Sequence, residues 1–126
     1  MLEDSVDSEL SSIPVFDPLW LGGTLRIPAG EADVRVSHRT FPLRSKTLVG
    51  VNLHMHERGR SGSVGIIHPD GTEECLLQID DWQHHWQGDY LFTTPIALKA
   101  DDALWVECHF DNTEANQRVV DGVREE

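Results

Sequence analysis

The sequence predicts an all-β fold, an antiparallel, jelly-roll-like β-sandwich of about eight short strands. Segments rich in β-branched and apolar residues recur at short intervals, and turn-forming residues separate them. No segment keeps an apolar period of about 3.6 residues over roughly ten residues, which argues against long helices. The predicted strands span residues 24–27, 33–39, 47–56, 62–68, 73–79, 88–93, 95–99 and 103–110. A Greek-key sandwich is the alternative, since strand order does not follow from these patterns.

One break between predicted strands carries a clear turn signal. Pro69-Asp70-Gly71 lies between the strands at 62–68 and 73–79. Proline restricts φ, and Asp-Gly accepts the positive φ that tight turns require. This sequence therefore predicts a β-hairpin.

Length and charge limit the domain organisation and the partners. The 126 residues suit one domain, and 22 acidic against 10 basic side chains give a formal net charge of −12. This charge argues against nucleic acid or an anionic membrane surface as a partner, because both require a basic surface. No stretch approaches the roughly 20 apolar residues of a membrane span, and the acidic N-terminus does not look like a signal peptide. We expect residues 1–20 to form an acidic, flexible segment and residues 21–126 to form the sandwich domain.

The segment 47–56 contains two histidines two positions apart. Successive side chains of a strand point to opposite faces, so the residues of this segment separate into two sets. One face carries Val49, Val51, Leu53 and Met55, and the other carries Leu48, Gly50, Asn52, His54 and His56. We expect the apolar set, Met55 included, to pack in the core. His54 and His56 would then project together, roughly 7 Å apart at the backbone, and could bind one zinc, copper, iron or nickel ion. Two polar residues on a solvated face are the alternative.

The strand at 103–110 offers a third imidazole. Its apolar face carries Leu104, Val106, Cys108 and Phe110, whereas Trp105, Glu107 and His109 lie on the other face. His109 is therefore a candidate metal ligand beside His54 and His56 if that face adjoins the pair, and a hydrogen-bonding surface residue otherwise. His84 and His85 are consecutive and would point apart in extended backbone, so we do not expect them to serve one site.

The two cysteines, Cys75 and Cys108, indicate no metal site. They are far apart in sequence and lie in no close metal-ligand spacing, which argues against a zinc site built on cysteine. They can form one disulfide or remain two buried thiols.

Four short motifs follow one another along the chain. They are His54-Met55-His56 with Arg58-Gly59, Pro69-Asp70-Gly71, Trp82 to Trp86-Gln87 with Tyr90, and Asp111-Asn112-Thr113 with Asn116. No single motif is specific, but their order and spacing together resemble the C-terminal domain of the copper type II ascorbate-dependent monooxygenases. The similarity covers residues 23–117.

The resemblance implies a jelly-roll-like sandwich, in agreement with the strand pattern. It also implies a copper site that binds and activates dioxygen, with His54 and His56 as two ligands and a methionine as the third. Ascorbate would be the reductant, and a second copper domain, or another chain that completes the site, would be the partner. A secreted or periplasmic location is implied as well.

The sequence departs from the family pattern at the third ligand. The family methionine belongs to a D-E-M-C-like segment after the D-N-[ST] motif, whereas the methionines here are Met1 and Met55. The cysteine of that segment is missing too, so Cys108 is expected to be a free thiol or to pair with Cys75. We therefore predict a copper-binding domain that is incomplete as a hydroxylase alone, either a piece of a longer enzyme or a stand-alone relative.

Two other functions remain open from the sequence. A non-catalytic sandwich for binding or assembly, with a degenerate metal site, would also lack a third ligand. A cupin-like metal enzyme also presents an HxH pair from a strand, but cupins usually place a glutamate several residues later. Here Glu57 follows His56 immediately, and the later P-x-G-x-x-H pattern is absent.

Overall fold

Antiparallel strands make up the fold in a computed structural model that describes residues 10–117, 119–120 and 123–124. The strands are β1 (Val34–Thr40), β2 (Lys46–Asn52), β3 (Gly59–Ile67), β4 (Glu73–Ile79), β5 (Asp89–Leu98), β6 (Ala103–Phe110), β7 (Val119–Val120) and β8 (Val123–Arg124). Short 3-10 helices lie at Pro18–Gly22, His84–Trp86 and Glu114–Asn116. Among the described residues, no helix is long and apolar enough to cross a membrane.

Two sheets form the sandwich. The larger sheet has the strand order β1-β6-β3-β4, and the smaller one pairs β2 with β5. Every pairing is antiparallel, and β7 and β8 form a separate short pair. The predicted all-β antiparallel sandwich is therefore confirmed.

The core lies between the two sheets in two apolar clusters. The first contains Leu53, Met55, Val64, Trp82, Val106 and Phe110, and the second contains Ile66, Leu98 and Leu104. Ile13 and Val15 also pack against these clusters, although both precede residue 21, where we expected the domain to begin. The flexible segment expected at residues 1–20 falls in part on residues 1–9, which lie outside the described residues.

The hairpin predicted at Pro69-Asp70-Gly71 is present between β3 and β4. Gly71 has a φ of 85°, and the carboxylate of Asp70 accepts hydrogen bonds from the backbone and the hydroxyl of Thr72. Positive φ costs glycine little, which explains its position here.

The predicted strands differ from those observed in three main respects. Residues 24–27 form no strand, and the segments at 88–93 and 95–99 are one strand, β5, that continues through Pro95. The register between β2 and β5 shifts, so that residues 92–95 of β5 lie opposite Val49 alone. Pro95 lies in this bulge, where no regular ladder bond is required of its nitrogen. The third difference is that β2 ends at Asn52, four residues before the predicted end.

The bulge also changes which side chains of β2 face the core. Leu48 packs against the second cluster, whereas Val51 packs against the first. These two residues are three positions apart, so the alternation changes phase between them. The prediction that Leu48 shares the outer face with the histidines was therefore wrong, because a bulge on the partner strand leaves no mark in the sequence of β2.

Candidate metal site

His54 and His56 lie in a short extended segment that follows β2 rather than within the strand. Leu53 and Met55 on either side of His54 are only 3% and 1% exposed, whereas both histidines are exposed. The ring centroids of His54 and His56 are 5.0 Å apart, with an angle of 83° between the ring planes. The predicted alternation therefore continues past the end of the strand, and Met55 packs in the core as expected.

Two backbone hydrogen bonds hold the turn that follows the histidine pair. The amide of Gly59 donates to the carbonyl of His56 at 2.9 Å, which closes a tight turn. The amide of Asp111 donates to the carbonyl of Arg58 at 2.9 Å, which joins the same turn to the end of β6. The pair is thus followed immediately by backbone that β3 and the end of β6, both in the larger sheet, hold in place.

The structure places His109 elsewhere. Cys108, its neighbour on β6, faces the first core cluster, so His109 lies on the outer face of the four-stranded sheet. Its Nδ1 lies 2.7 Å from a carboxylate oxygen of Asp33, and its Nε2 lies 3.0 Å from one of Glu107. These hydrogen bonds, that to Asp33 first, raise the pKa of His109. The His54–His56 segment packs its apolar side chains against the opposite, inner face of that sheet.

His84 and His85 are brought together, contrary to the expectation that they point apart. Their ring centroids are 5.6 Å apart, because they lie in a 3-10 turn, where neighbouring side chains diverge by only about 120°. Both line an open cleft of about 430 Å³ with Glu57, Gly59, Arg60, Asp81, Trp82, Gln83, Asp111 and Asn116. Sequence reasoning missed this cleft, since three separate loops form it.

A histidine–carboxylate pair that the sequence did not indicate lies at the other end of the strands. Nδ1 of His68 is 2.9 Å from Oδ1 of Asp102, which is fully buried. The other carboxylate oxygen of Asp102 accepts a hydrogen bond of 2.7 Å from the Lys99 amide. The pair joins the β3–β4 turn to the β5–β6 turn across 34 positions of sequence, a separation at which no spacing signal exists.

Both cysteines are free thiols. Cys75 is exposed on β4, and Cys108 is largely buried on β6. Burial raises the pKa of Cys108 to about 11. The disulfide that the sequence left open is therefore absent. Of the two free thiols, only Cys108 is largely buried, so the option of two buried thiols holds for Cys108 and not for Cys75.

A family model described as the copper type II ascorbate-dependent monooxygenase, C-terminal domain, matches residues 30–126. The matched region covers more than half of the chain and contains all four motifs. The chain belongs to this family. A search of curated proteins found no match. Membership in the copper type II ascorbate-dependent monooxygenases confirms the resemblance drawn from the motifs and sets the cupin-like alternative aside.

The donors of the histidine pair suit the copper on which this family depends, but only in part. Imidazole nitrogen is a ligand that copper binds well, and the two exposed rings lie close enough to serve one ion. Met55 is buried and does not add a third donor. Among the described residues, no group of three or more His, Cys, Asp or Glu side chains is arranged to hold a metal ion. The described residues thus offer two neighbouring imidazoles as candidate ligands and no third donor grouped with them.

Proposed function

We propose that this chain is a copper-binding domain in which His54 and His56 supply two of the ligands. The observation that carries the proposal is the 5.0 Å approach of two exposed imidazole rings on either side of a buried methionine. Leu53 and Met55 anchor the backbone in the core, so the rings are held side by side without any sheet hydrogen bond at their own positions. Such prior positioning lowers the entropy cost of placing two ligands on one ion.

Copper bound by this pair would supply the dioxygen binding and one-electron chemistry that a monooxygenase requires. The protein's own contribution is to hold two imidazole nitrogen donors at the surface, where a small molecule can reach the ion. Both imidazoles are exposed, so the site is open to dioxygen, to a further ligand and to a second domain.

The same geometry supports a domain that is incomplete as a catalyst by itself. Two imidazoles fill two of the coordination positions of copper, and the buried Met55 cannot fill a third without leaving the core. We therefore infer that a further donor and a second copper domain, which delivers electrons from ascorbate, come from outside the described residues.

Titration with Cu(II), followed by calorimetry and electron paramagnetic resonance, tests the proposal. The wild-type protein should bind about one equivalent, with imidazole nitrogens on the ion. His54→Ala and His56→Ala should each weaken binding by well over tenfold, because each removes a direct ligand.

The second exposed histidine pair provides a matched control. His84→Ala and His85→Ala remove imidazoles whose rings are similarly close, at 5.6 Å, and should leave the copper affinity unchanged. Copper binding that survives loss of both His54 and His56 would contradict the proposal, as would binding that depends on His84 and His85 instead. A wild-type protein that retains no copper would favour a non-catalytic sandwich.

A further inference from the structure

The histidine pair lies beyond the last ladder pair of β2, so other contacts must fix its geometry. β2 ends at Asn52, and Asn52 is its last residue paired with β5. Leu53 and Met55 fix the segment from inside the core. From Met55 onward, the chain turns directly into β3, which begins at Gly59.

Gly59 lies in unusually close contact with this segment. A Cβ atom at position 59 would lie 2.8 Å from Cβ of Met55, 2.9 Å from Cδ1 of Trp82 and 3.1 Å from the carbonyl oxygen of His56. The first and third contacts are to the backbone-proximal atoms of the HxH segment, which cannot move without moving the histidines. Trp82 closes the opposite side, since it is buried and its amide donates to the carbonyl of Arg60 at 2.8 Å.

We propose that Gly59 is a positioning residue for the His54–His56 pair, because the absence of a side chain lets the β3 backbone press the Met55–His56 backbone into place. The inference rests on the proposed copper function and deepens it. Gly59 is not among the glycines with positive φ, so the requirement is for space rather than for a special backbone conformation. A side chain at this position would push residues 55–56 outward and separate the two rings.

Gly62 offers a matched control on the same strand. A Cβ atom there would also be crowded, at 2.7 Å from Cδ2 of Leu53 and 3.2 Å from Cε of Met55. These atoms are the far ends of flexible side chains, which can repack without moving the backbone that carries the histidines. The Glu107 carbonyl oxygen at 3.2 Å belongs to β6, which carries neither histidine of the pair. Gly62→Ala should therefore cost stability and leave the pair in place.

The test compares Gly59→Ala with Gly62→Ala by copper affinity, thermal unfolding and proton NMR of the metal-free protein. Gly59→Ala should weaken Cu(II) binding by about tenfold or more, whereas Gly62→Ala should change it by less than that. Nuclear Overhauser effects between the His54 and His56 rings should be seen in wild type and in Gly62→Ala and be lost in Gly59→Ala. Equal copper affinity and equal ring contacts in the two variants would overturn the proposal.

Two further outcomes separate the positioning role of Gly59 from the copper function and from a failure to fold. If the wild type binds no copper but Gly59→Ala alone loses the ring contacts, the copper function fails and the positioning role stands. If Gly59→Ala alone does not fold, the double variant Gly59→Ala/Trp82→Leu takes its place, because the smaller side chain at position 82 relieves one of the three close contacts and keeps those with Met55 and His56. The double variant should bind copper more weakly than Trp82→Leu and lose the ring contacts, and equal binding and ring contacts in these two variants would overturn the proposal.

Discussion

At the scale of a single residue, Met55 packs in the core and also orients the two histidines that flank it. It lies between two exposed histidines, yet it is 1% exposed and belongs to the first core cluster. A thioether in this position holds the flanking imidazoles outward because it is itself drawn inward by the hydrophobic effect. The alternation of side chains along the segment is enough to predict that Met55 packs in the core, and its burial confirms this.

Truncation of Met55 should therefore reduce stability. Met55→Ala is expected to lower the free energy of unfolding by about 2–5 kcal/mol, since it removes a buried side chain and leaves a cavity. Met55→Leu, which nearly conserves the volume, should cost less than about 1.5 kcal/mol. Chemical denaturation measures both values, and an equal loss in the two variants would mean that packing is not what Met55 supplies.

The two thiols should differ sharply in reactivity. Cys108 is largely buried with a pKa of about 11, so roughly one molecule in a thousand carries the thiolate at pH 8. Cys75 is exposed. A thiol reagent applied to the native protein at pH 8 should therefore modify one cysteine quickly, and Cys75→Ser should abolish that fast phase. Fast modification that persists in Cys75→Ser would show that Cys108 is accessible.

At the scale of elements, strands were predicted best where the sequence pattern is local. The segments at 73–79 and 103–110 were predicted with their observed limits, because apolar residues and flanking turn residues bound them. Pro95 has the sequence signature of a break, although β5 continues through it, because a bulge is a property of two paired strands and the sequence of one strand does not show it. The end of β2 at Asn52 depends on where β5 begins, which the β2 sequence does not contain.

The candidate site was predictable to a similar degree. His54 and His56 are close because they are two positions apart in the sequence. The backbone stays extended beyond the end of β2, so side chains two positions apart still point to the same side. The position of His109 depended on which sheet face adjoins the pair, and strand order did not follow from the pattern. Gly59 and Trp82 belong to the sequence motifs, but their contacts with the His54–His56 segment were not predictable, because these contacts depend on the space between loops, which no residue periodicity reports.

At the scale of the whole molecule, the buried carboxylate of Asp102 couples two turns at the end away from the histidine pair. The pKa of His68 is raised, chiefly by its hydrogen bond to Asp102, with further help from the charges of Asp102, Asp70 and Glu74. The pKa of Asp102 is lowered, first by the hydrogen bond from the Lys99 amide and then by that from His68. Proton binding to this pair is therefore linked to folding.

The signs of these shifts predict how stability depends on pH. A raised His68 pKa contributes stability that is full below its unfolded value of about 6.5 and is lost as pH rises through the folded value. A lowered Asp102 pKa contributes stability that is full above about 3.9 and is lost as pH falls through the folded value. The free energy of unfolding should thus be highest between about pH 4.5 and 6.5 and should decline toward pH 8.

The variant His68→Asn isolates the contribution of the His68–Asp102 pair to the pH dependence of stability. Asparagine places an amide donor close to the position of Nδ1 but does not titrate, so the hydrogen bond to Asp102 can persist without the proton linkage. Denaturation measured from pH 5 to 8.5 should show a shallower decline in the variant than in wild type. Some decline should remain, because the pKa of His109 is raised as well, chiefly by its hydrogen bond to Asp33 and then by that to Glu107. An unchanged slope in His68→Asn would mean that the His68–Asp102 pair does not link protonation to folding, and that the slope arises elsewhere on this acidic protein.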